Sequence, residues 1–427
     1  MKPLLVNTFD VGGAAKACIR LHSGLLNSNI DSNLLVNHLT QKHKEKLVQI
    51  EDFTINNIKY SLGQMISNKS KAILKEFYLY SKEKAIVADA FIKNRDNRLE
   101  FYSSPKTNID ITKSRHYKES DIVNFHWVAR MLDYSSFFKL NNKPIVWTLH
   151  DQNPFSGGEH YLEALFGIDD RGYPIKRVLT KIEKERFKEN LDIKIKALKD
   201  VNTLTIVSPS AWLAKEAKQS QLFSRFPIEV IPNGIDTEVF KIRNQEYTKE
   251  LFNIPLNKKV ILFVADDVKN FRKGFEYLNR ALKSINSSDF IFITVGNNNS
   301  DFNSEKDVLA LGRINNDLLM SIIYSMADVF ITPSIMDNLP NTIVESLCCG
   351  TPVIGFPVGG IPDMIEDEVN GIICKEISVK SLVEGIDRFF NNQERFSSVN
   401  ISNRARSLYS VEKQTNAYIK IYQNMLK

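Results

Sequence analysis

Residues 328–356 read DVFITPSIMDNLPNTIVESLCCGTPVIGF. Apolar and β-branched residues at both ends of this stretch predict two buried strands, and the residues between them predict a helix. Pro340 suits the first turn of that helix, and Gly350 suits its end. The succession indicates a parallel βα unit in which Asp337 follows the first strand and Glu345 lies about one turn into the helix.

The same alternation of strands and helices occurs in both halves of the chain. In the first half we predict the strands PLLVNTF, SNLLVNH, DIVNFHW, PIVWTLH, NTLTIVS and IEVIPN, and helices over 14–27, 175–200 and 211–220. In the second half we predict the strands KVILFVA, DFIFITVG, DVFITPS and TPVIGF, and helices over 274–286, 315–326 and 341–349. Short β-branched strands separated by helices predict an α/β protein with two doubly wound parallel sheets.

The chain length agrees with two domains, because 427 residues exceed what one hydrophobic core usually supports. We expect a first domain over 1–240 and a second over 241–403, joined through the polar segment 241–258. The amphipathic segment 404–427 predicts a closing helix. Residues 55–100 interrupt the alternation and predict a helical, lysine-bearing insertion.

The composition narrows the class of protein. Hydrophobic residues make up 43% and charged residues 25% of the chain, which excludes disordered and fibrous classes. The four cysteines have neither a metal-binding spacing nor a disulfide pattern, so a reducing compartment fits. We expect no signal peptide, because Met1 runs directly into the first strand, and no apolar run approaches the roughly 20 residues of a spanning helix. These features predict a cytoplasmic protein, either soluble or peripheral to the membrane.

The positive charge lies in the first half of the chain. Residues 1–240 hold 35 Lys and Arg against 28 Asp and Glu, a net +7, whereas residues 241–427 hold 21 against 22, a net −1. One interpretation is a solvated lysine face, and the other is attraction to an anionic membrane surface or an anionic acceptor. Nucleic acid is not expected as a partner, because no binding module for it accompanies the charge.

Candidate site residues of the first half follow its strands, since ligands of such sheets bind at the carboxyl ends of the strands. Gly12 and Gly13 precede a helix, so the backbone can approach a ligand there, but a glycine pair alone is a weak signal and simple turn formation is the alternative. His150 and Asp151 stand side by side after one strand, and His126 ends the neighbouring strand. Three such groups at one edge favour a site over a packed histidine.

Candidate site residues of the second half have opposite charges. Lys269, Arg272 and Lys273 precede a helix, where positive charge and unpaired N–H groups would hold an anion; ordinary solvated lysines are the alternative. Asp337 and Glu345 frame the start of the next helix. Together the two loops predict a pocket for a group that carries both phosphate and hydroxyls. The alternative is that Asp337 only forms a turn and that Glu345 is a surface acid of the helix.

Several motifs of a known family occur in order over nearly the whole chain: SPSAWLAKEA, IEVIPNGIDTEVF, Lys-Gly before a helix, ITPSIMDNLPNTIVESLCCGTPVIGFPVGGIPDMI and NGI. Together they resemble a retaining glycosyltransferase of family four, which has the GT-B fold. The stretch from DIVNFHW to WTLHDQNPFSGGEHY is similar to the branch that builds capsules, exopolysaccharides and O-antigens. The resemblance implies two Rossmann-like domains facing a cleft, the first for the acceptor and the second for a nucleotide sugar. It also implies that 404–427 crosses back onto the first domain.

The resemblance implies roles for the charged residues. The family's Glu-x7-Glu motif falls on Asp337 and Glu345; its first acid contacts the donor sugar, and its second holds the donor ribose. The family lysine falls on Lys273 and offsets the charge of the departing diphosphate. The family histidine falls on His150, near the reacting carbon of the donor sugar.

The resemblance also assigns two backbone sites. The helix start binds the donor diphosphate and consists of Leu339, Pro340, Asn341 and Thr342. The loop near the phosphate and the acceptor falls on Gly12 and Gly13, with Asp151 at the neighbouring strand end.

Three positions depart from the family pattern. The first acid of the motif is usually Glu. Because the Asp337 side chain is shorter, the resemblance decides neither how far its carboxylate reaches nor which sugar it contacts. The family arginine expected before Lys273 is absent, because Asp266 and Asp267 stand there, and Arg272 or Lys269 takes its place. Glu159 replaces a family cysteine, so no metal or disulfide feature is expected at that motif.

The resemblance implies a metal-independent, retaining hexosyltransferase without a cofactor. It would use a UDP- or GDP-sugar and a saccharide acceptor, carried on a lipid, in surface polysaccharide synthesis at the cytoplasmic face of the membrane. Two alternatives stay open: a nucleotide-sugar 2-epimerase of the same fold, and a catalytically silent nucleotide-sugar-binding scaffold.

Overall fold

The computed structural model of the protein describes residues 1–40, 45–50, 90–93, 95–96, 99–162, 165–285, 289–297 and 308–427. It contains two parallel β-sheets with flanking helices and a small antiparallel hairpin. The α/β architecture predicted from the sequence is therefore confirmed.

The first sheet holds seven strands among the described residues. They are β1 (Pro3–Phe9), β2 (Asn33–His38), β3 (Leu47–Gln49), β4 (Ile122–Phe125), β5 (Ile145–Thr148), β8 (Leu204–Ser208) and β9 (Ile228–Val230). The strands β6 (Leu165–Ile168) and β7 (Pro174–Lys176) form the separate hairpin. All neighbours are parallel, in the order β3-β2-β1-β4-β5-β8-β9. The central strands are buried on both faces, which explains their nearly continuous apolar sequences.

The second sheet holds six strands in the described part of the chain. They are β10 (Lys259–Asp267), β11 (Phe290–Asn297), β12 (Val308–Ala310), β13 (Val329–Thr332), β14 (Val353–Gly355) and β15 (Gly371–Ile373). The order is β12-β11-β10-β13-β14-β15, again with parallel neighbours. The predicted strands of both halves are all present, whereas the three-residue edge strands β3, β12 and β15 were not predicted.

Helices connect the strands of both sheets. The first half contains α1 (Gly13–Asn27), α2 (Ala90–Lys93), α3 (Arg115–Glu119), α4 (Tyr134–Leu140), α5 (Lys181–Leu198) and α6 (Ala211–Gln219). The second half contains α7 (Gln245–Leu251), α8 (Phe275–Leu282), α9 (Asp317–Met326), α10 (Asn341–Cys348), α11 (Val379–Phe390), α12 (Ser398–Tyr409) and α13 (Val411–Met425). Of the predicted insertion over 55–100, residues 55–89, 94 and 97–98 lie outside the described residues.

The predicted helix over 175–200 is wrong at its start. Residues Leu165–Ile168 (β6) and Pro174–Lys176 (β7) form an antiparallel hairpin, and α5 begins only at Lys181. The Thr180 side chain accepts from the backbone of Glu183, whose carboxylate accepts from the Thr180 backbone in return. This capping box fixes the helix start.

The segment 241–258, which we predicted as the joint between the domains, includes a short helix. It contains α7, whose start is capped by Asn244, and α7 packs against α9. The domain boundaries at 240 and 403 stay a prediction, and α12 runs across the second of them.

The closing helix crosses back onto the first sheet, as predicted. Asn124 donates to the hydroxyl of Tyr422 at 2.7 Å, and the hydroxyls of Thr148 and Tyr418 lie 2.9 Å apart. Both tyrosines are fully buried. The preceding helix, α12, stays on the second domain, where Ser402 donates to the Cys348 carbonyl at 2.6 Å. The chain therefore changes domains between α12 and α13.

No helix within the described ranges is long and apolar enough to cross a membrane.

Candidate active site

The two sheets face each other across a cleft with a cavity of about 410 Å³. Most of the residues predicted for the site line this cavity: Gly12, Gly13, His150, Asp151, Arg272, Lys273, Asp337, Leu339, Pro340, Asn341, Thr342 and Glu345. Two predicted residues lie outside the cavity lining: Lys269 is exposed at the surface, and His126 is buried and contacts His150. Residues from both domains thus meet at one site.

Two helix starts open into this cleft from opposite sides. Helix α1 begins at Gly13, and α10 begins at Asn341. The side-chain amide of Asn341 donates through Nδ2 to the Gly13 carbonyl at 3.0 Å. Its Oδ1 accepts from the side-chain amide of Asn233 at 3.2 Å. Gly12 has a φ of 96°, a conformation that favours glycine. Because helix starts carry partial positive charge, the cavity is suited to an anionic group.

Asp337 binds both basic residues of the loop after β10. Its Oδ2 lies 2.7 Å from Lys273 Nζ and 3.1 Å from an Arg272 nitrogen. Burial alone would raise the pKa of Asp337, but Lys273 and Arg272 outweigh it and hold this pKa below its ordinary value. The carboxylate is therefore ionised at neutral pH and is partly neutralised by its two partners.

Gly274 allows Lys273 to reach this position. The residue has a φ of 70°, and a Cβ there would lie 1.7 Å from the Pro333 carbonyl oxygen at the exit of β13. Only glycine lets the two loops approach so closely. The short turn Phe271–Lys273 before it is capped by Asn270, which accepts from the Arg272 backbone at 3.0 Å.

Arg272 is held by groups from both domains. Its Nε donates to Glu100 at 2.6 Å, and its Nη1 donates to the Met336 carbonyl at 2.9 Å. The guanidinium also lies 5.0 Å from the centre of the Tyr161 ring. Glu100 and Tyr161 belong to the first half of the chain, so Arg272 connects the two walls of the cleft.

His150 lies beside His126, as their strand positions predicted. His126 Nδ1 and His150 Nε2 are 3.0 Å apart. Burial lowers the pKa of His150 to about 4 and lowers the pKa of His126 well below its ordinary value. Both rings are therefore neutral at pH 7, and one donates a hydrogen bond to the other.

Asp151 is bound within the first domain. It accepts from Trp127 Nε1 at 2.8 Å, from the Asn153 backbone at 2.9 Å and from His160 Nδ1 at 2.5 Å. Burial alone would raise the pKa of Asp151, but His160 and the other donors lower it. These bonds order the loop that carries His150.

Glu345 points from α10 toward the first domain. Its Oε2 accepts from the Tyr324 hydroxyl at 3.2 Å, and its Oε1 lies 2.9 Å from Arg20 of α1. Its side chain is only 4% exposed. Glu345 is therefore a buried, paired acid at the cavity wall and not a surface residue of the helix.

The sequence did not identify several residues of the site. Arg20, Glu100 and Tyr161 contact predicted site residues, and Asn338 joins the domains by donating to the His150 carbonyl at 3.2 Å and accepting from Ser210 at 2.5 Å. Tyr161 ends the GGEHY motif and Asn338 lies in the quoted stretch SIMDNLPN, whereas no motif pointed to Arg20 or Glu100.

Within the described ranges, no group of three or more His, Cys, Asp or Glu side chains is placed to hold a metal ion.

The second domain matches a family model. Residues 244–407 match the family described as glycosyl transferases group 1. An uncharacterized glycosyltransferase of Methanocaldococcus jannaschii is 28% identical over 219 residues, which cover 47% of this chain and 55% of that protein. The UDP-Gal:alpha-D-GlcNAc-diphosphoundecaprenol alpha-1,3-galactosyltransferase of Escherichia coli is 24% identical over 216 residues, covering 47% of this chain and 54% of that protein. The chain spans about half the length of these curated relatives.

Solved structures show the same fold over the whole chain. The Anabaena protein HepE in complex with UDP and glucose has a TM-score of 0.64 and 15% identity, over 99% of this chain and 100% of that one. This likeness shows the GT-B fold. The resemblance found in the sequence is thus confirmed: residues 244–407 match the model of the glycosyl transferases group 1 family, and the chain has the GT-B fold.

Proposed function

We propose that this protein is a retaining, metal-independent glycosyltransferase that moves a hexose from a UDP- or GDP-sugar to a saccharide acceptor carried on a lipid. The observation that carries the proposal is the meeting of the α10 start, the Lys273–Asp337 pair and His150 in one cleft. A helix start and a lysine supply positive charge where a diphosphate departs. The acids and the histidine supply hydrogen-bonding groups for sugar hydroxyls.

The donor would lie along the wall formed by the second domain. Glu345 would take the ribose hydroxyls, because it lies one turn into α10 and faces the cavity. The backbone of residues 339–342 and the ammonium of Lys273 would take the diphosphate. Asp337 and His150 also line the cavity and would face the hexose.

Arg272 is the better substitute for the absent family arginine. It lines the cavity next to Lys273, whereas Lys269 lies outside it. Asp266, which stands where that arginine is expected, also lines the cavity. Because Asp266 brings negative charge to this wall, the diphosphate would depend more strongly on Lys273 and Arg272.

The transfer breaks the bond between the anomeric carbon and the diphosphate oxygen and forms a bond to the acceptor oxygen. In the proposed front-face reaction, the leaving diphosphate takes the electron pair of the broken bond and accepts the acceptor's hydroxyl proton. Attack on the face that the leaving group departs from retains the configuration. Neutral His150 serves as a hydrogen-bonding group near the anomeric carbon, because burial lowers its pKa to about 4.

The acceptor would bind at the first-domain wall, near Gly12, Gly13 and Asp151. The E. coli relative is named for galactosyl transfer to a GlcNAc diphospholipid, and a relative from Klebsiella pneumoniae is a protein in the cps region. Both names support a role in surface polysaccharide synthesis. The net +7 of residues 1–240 supports contact with the anionic cytoplasmic face of a membrane.

The proposal is tested by incubating the purified full chain with UDP- and GDP-sugars, with and without a GlcNAc diphospholipid acceptor. Release of nucleoside diphosphate that requires the acceptor is the expected result. Isomerised nucleotide sugar without an acceptor would indicate the epimerase, and binding without turnover would indicate the scaffold; either result overturns the proposal. Glu345→Ala should weaken donor binding, while Glu384→Ala, at a partly exposed acid on α11, should not.

A further inference from the structure

One ion pair joins the two domains directly at the predicted ribose-binding acid. Arg20 Nη2 lies 2.9 Å from Glu345 Oε1 and 3.2 Å from Asp317 Oδ2. The Arg20 side chain is 10% exposed, and its guanidinium lies 5.5 Å from the centre of the Phe240 ring. A buried arginine held by two carboxylates and a ring is fixed in one orientation.

The ion pair joins helices that are far apart in the sequence. Arg20 lies on α1, which follows the Gly12 loop, while Glu345 lies on α10 and Asp317 in the first turn of α9. Lys16, one turn before Arg20, lies 3.3 Å from Asp317 but does not pair with Glu345 in the structure. Asp317 therefore forms ion pairs with both Lys16 and Arg20, whereas Glu345 pairs with Arg20.

We infer that Arg20 is a positioning residue for donor binding, which acts across the cleft by orienting the Glu345 carboxylate. The inference rests on the proposed function. Glu345 uses one oxygen for Arg20 and the other for Tyr324. A carboxylate has about four acceptor sites, so two remain for the paired hydroxyls of a ribose. Because Arg20 belongs to the first domain, the nucleoside end of the site is complete only when the domains are closed.

Loss of Arg20 leaves Glu345 buried without its cation and free to rotate, and both changes disfavour ribose binding. The effect should appear as weaker affinity for the nucleoside diphosphate itself. Asp317 offers a matched comparison, because it contacts the same guanidinium but does not line the cavity. If Arg20 served only to hold the domains together, removing either contact would have similar consequences.

The experiment measures the affinity of the full chain for UDP and for GDP by titration calorimetry. We expect Arg20→Ala to weaken binding of the preferred nucleotide about tenfold to a hundredfold, and Arg20→Lys to regain most of the loss. Asp317→Asn should change the affinity less than about threefold. In a Glu345→Gln background, Arg20→Ala should have little further effect, because the two residues act through one contact. Circular dichroism and thermal unfolding confirm that each variant is folded.

The possible failures are distinguishable. If the wild-type chain binds neither nucleotide, the proposed function fails and this inference falls with it. If wild type binds but folded Arg20→Ala binds equally well, the inference alone is overturned. It is also overturned if Asp317→Asn weakens binding as much as Arg20→Ala, or if the effects of Arg20→Ala and Glu345→Gln simply add.

Discussion

Asp337 and Lys273 form a 2.7 Å ion pair at the exits of two neighbouring strands, β13 and β10, with Arg272 3.1 Å from the same carboxylate oxygen. Asp337 therefore forms ion pairs with both Lys273 and Arg272, the two cations that we assign to binding of the donor diphosphate. In the proposed complex the diphosphate competes with Asp337 for these cations. As it departs and gains charge, its attraction to them grows, so the interaction is strongest where it assists the reaction.

Lys273→Met should test this role of the ammonium group. Methionine keeps most of the aliphatic length and removes the charge, so kcat should fall about 100-fold, or about 3 kcal/mol. Steady-state kinetics with the preferred donor measure the change. Lys283→Met, at an exposed lysine after α8, is the control and should stay within about twofold of wild type. A variant at position 273 that matches this control would remove Lys273 from the reaction.

Asp337→Glu should alter the choice of donor sugar. Glutamate is the acid that the family usually carries, and its extra methylene moves the carboxylate about 1.5 Å further into the cavity. Because Asp337 and His150 both line the cavity, the longer acid would meet different hydroxyls of the hexose. We expect the ratio of kcat/KM for UDP-glucose and UDP-galactose to change about tenfold or more. Asp387→Glu on the exposed face of α11 should leave that ratio unchanged.

His150→Ala should slow transfer more than it weakens donor binding. The ring is neutral and bonded to His126, so its loss removes a hydrogen-bonding group near the proposed reacting carbon without removing a charge. We expect kcat to fall about tenfold to a hundredfold while the Kd for the nucleoside diphosphate changes less than about threefold. A large rise in that Kd with little change in kcat would instead place His150 at the nucleotide.

The closing helix should contribute measurably to stability through one hydroxyl. Tyr422→Phe removes the acceptor of the Asn124 amide at a fully buried position, and an unsatisfied buried donor costs about 1–3 kcal/mol. Thermal unfolding should therefore shift to lower temperature by several degrees. Tyr247→Phe, at a side chain that is 62% exposed, should leave the midpoint unchanged. Equal midpoints for the two variants would mean that the buried bond adds no net stability.

The sequence predicted the elements whose pattern is strong and local. β1, β10, β13 and α10 each combine a continuous apolar or amphipathic run with clear end signals, and the structure has them close to the predicted bounds. The hairpin of β6 and β7 was missed because its sequence, LFGIDDRGYPIK, lacks the alternation of a half-buried strand. The missed edge strands β3, β12 and β15 have three residues each, too few to show any period.

The site residues also differ in whether the sequence carries a local signal for them. His150, Lys273 and Glu345 follow strand ends or helix starts, which the sequence shows directly. Their partners do not, since Arg20 lies 325 residues from Glu345 and Glu100 lies 172 residues from Arg272. Such pairs arise only when the two domains close around the cleft, and a single sequence carries no local signal of that geometry.

The histidine pair should make stability depend on pH in a defined window. Both His126 and His150 have lowered pKa values in the folded chain, so the unfolded chain binds more protons below its own histidine pKa of about 6.5. Stability is therefore fully present above that pH and falls as the pH drops toward 4, by at most about 1.4 kcal/mol per pH unit for each histidine. Unfolding in urea at pH 7.0, 5.5 and 4.5 measures the slope and stays above the range in which Asp337 and Asp151 titrate. His126→Gln should give a shallower slope than wild type, and equal slopes in the two proteins would contradict the assignment.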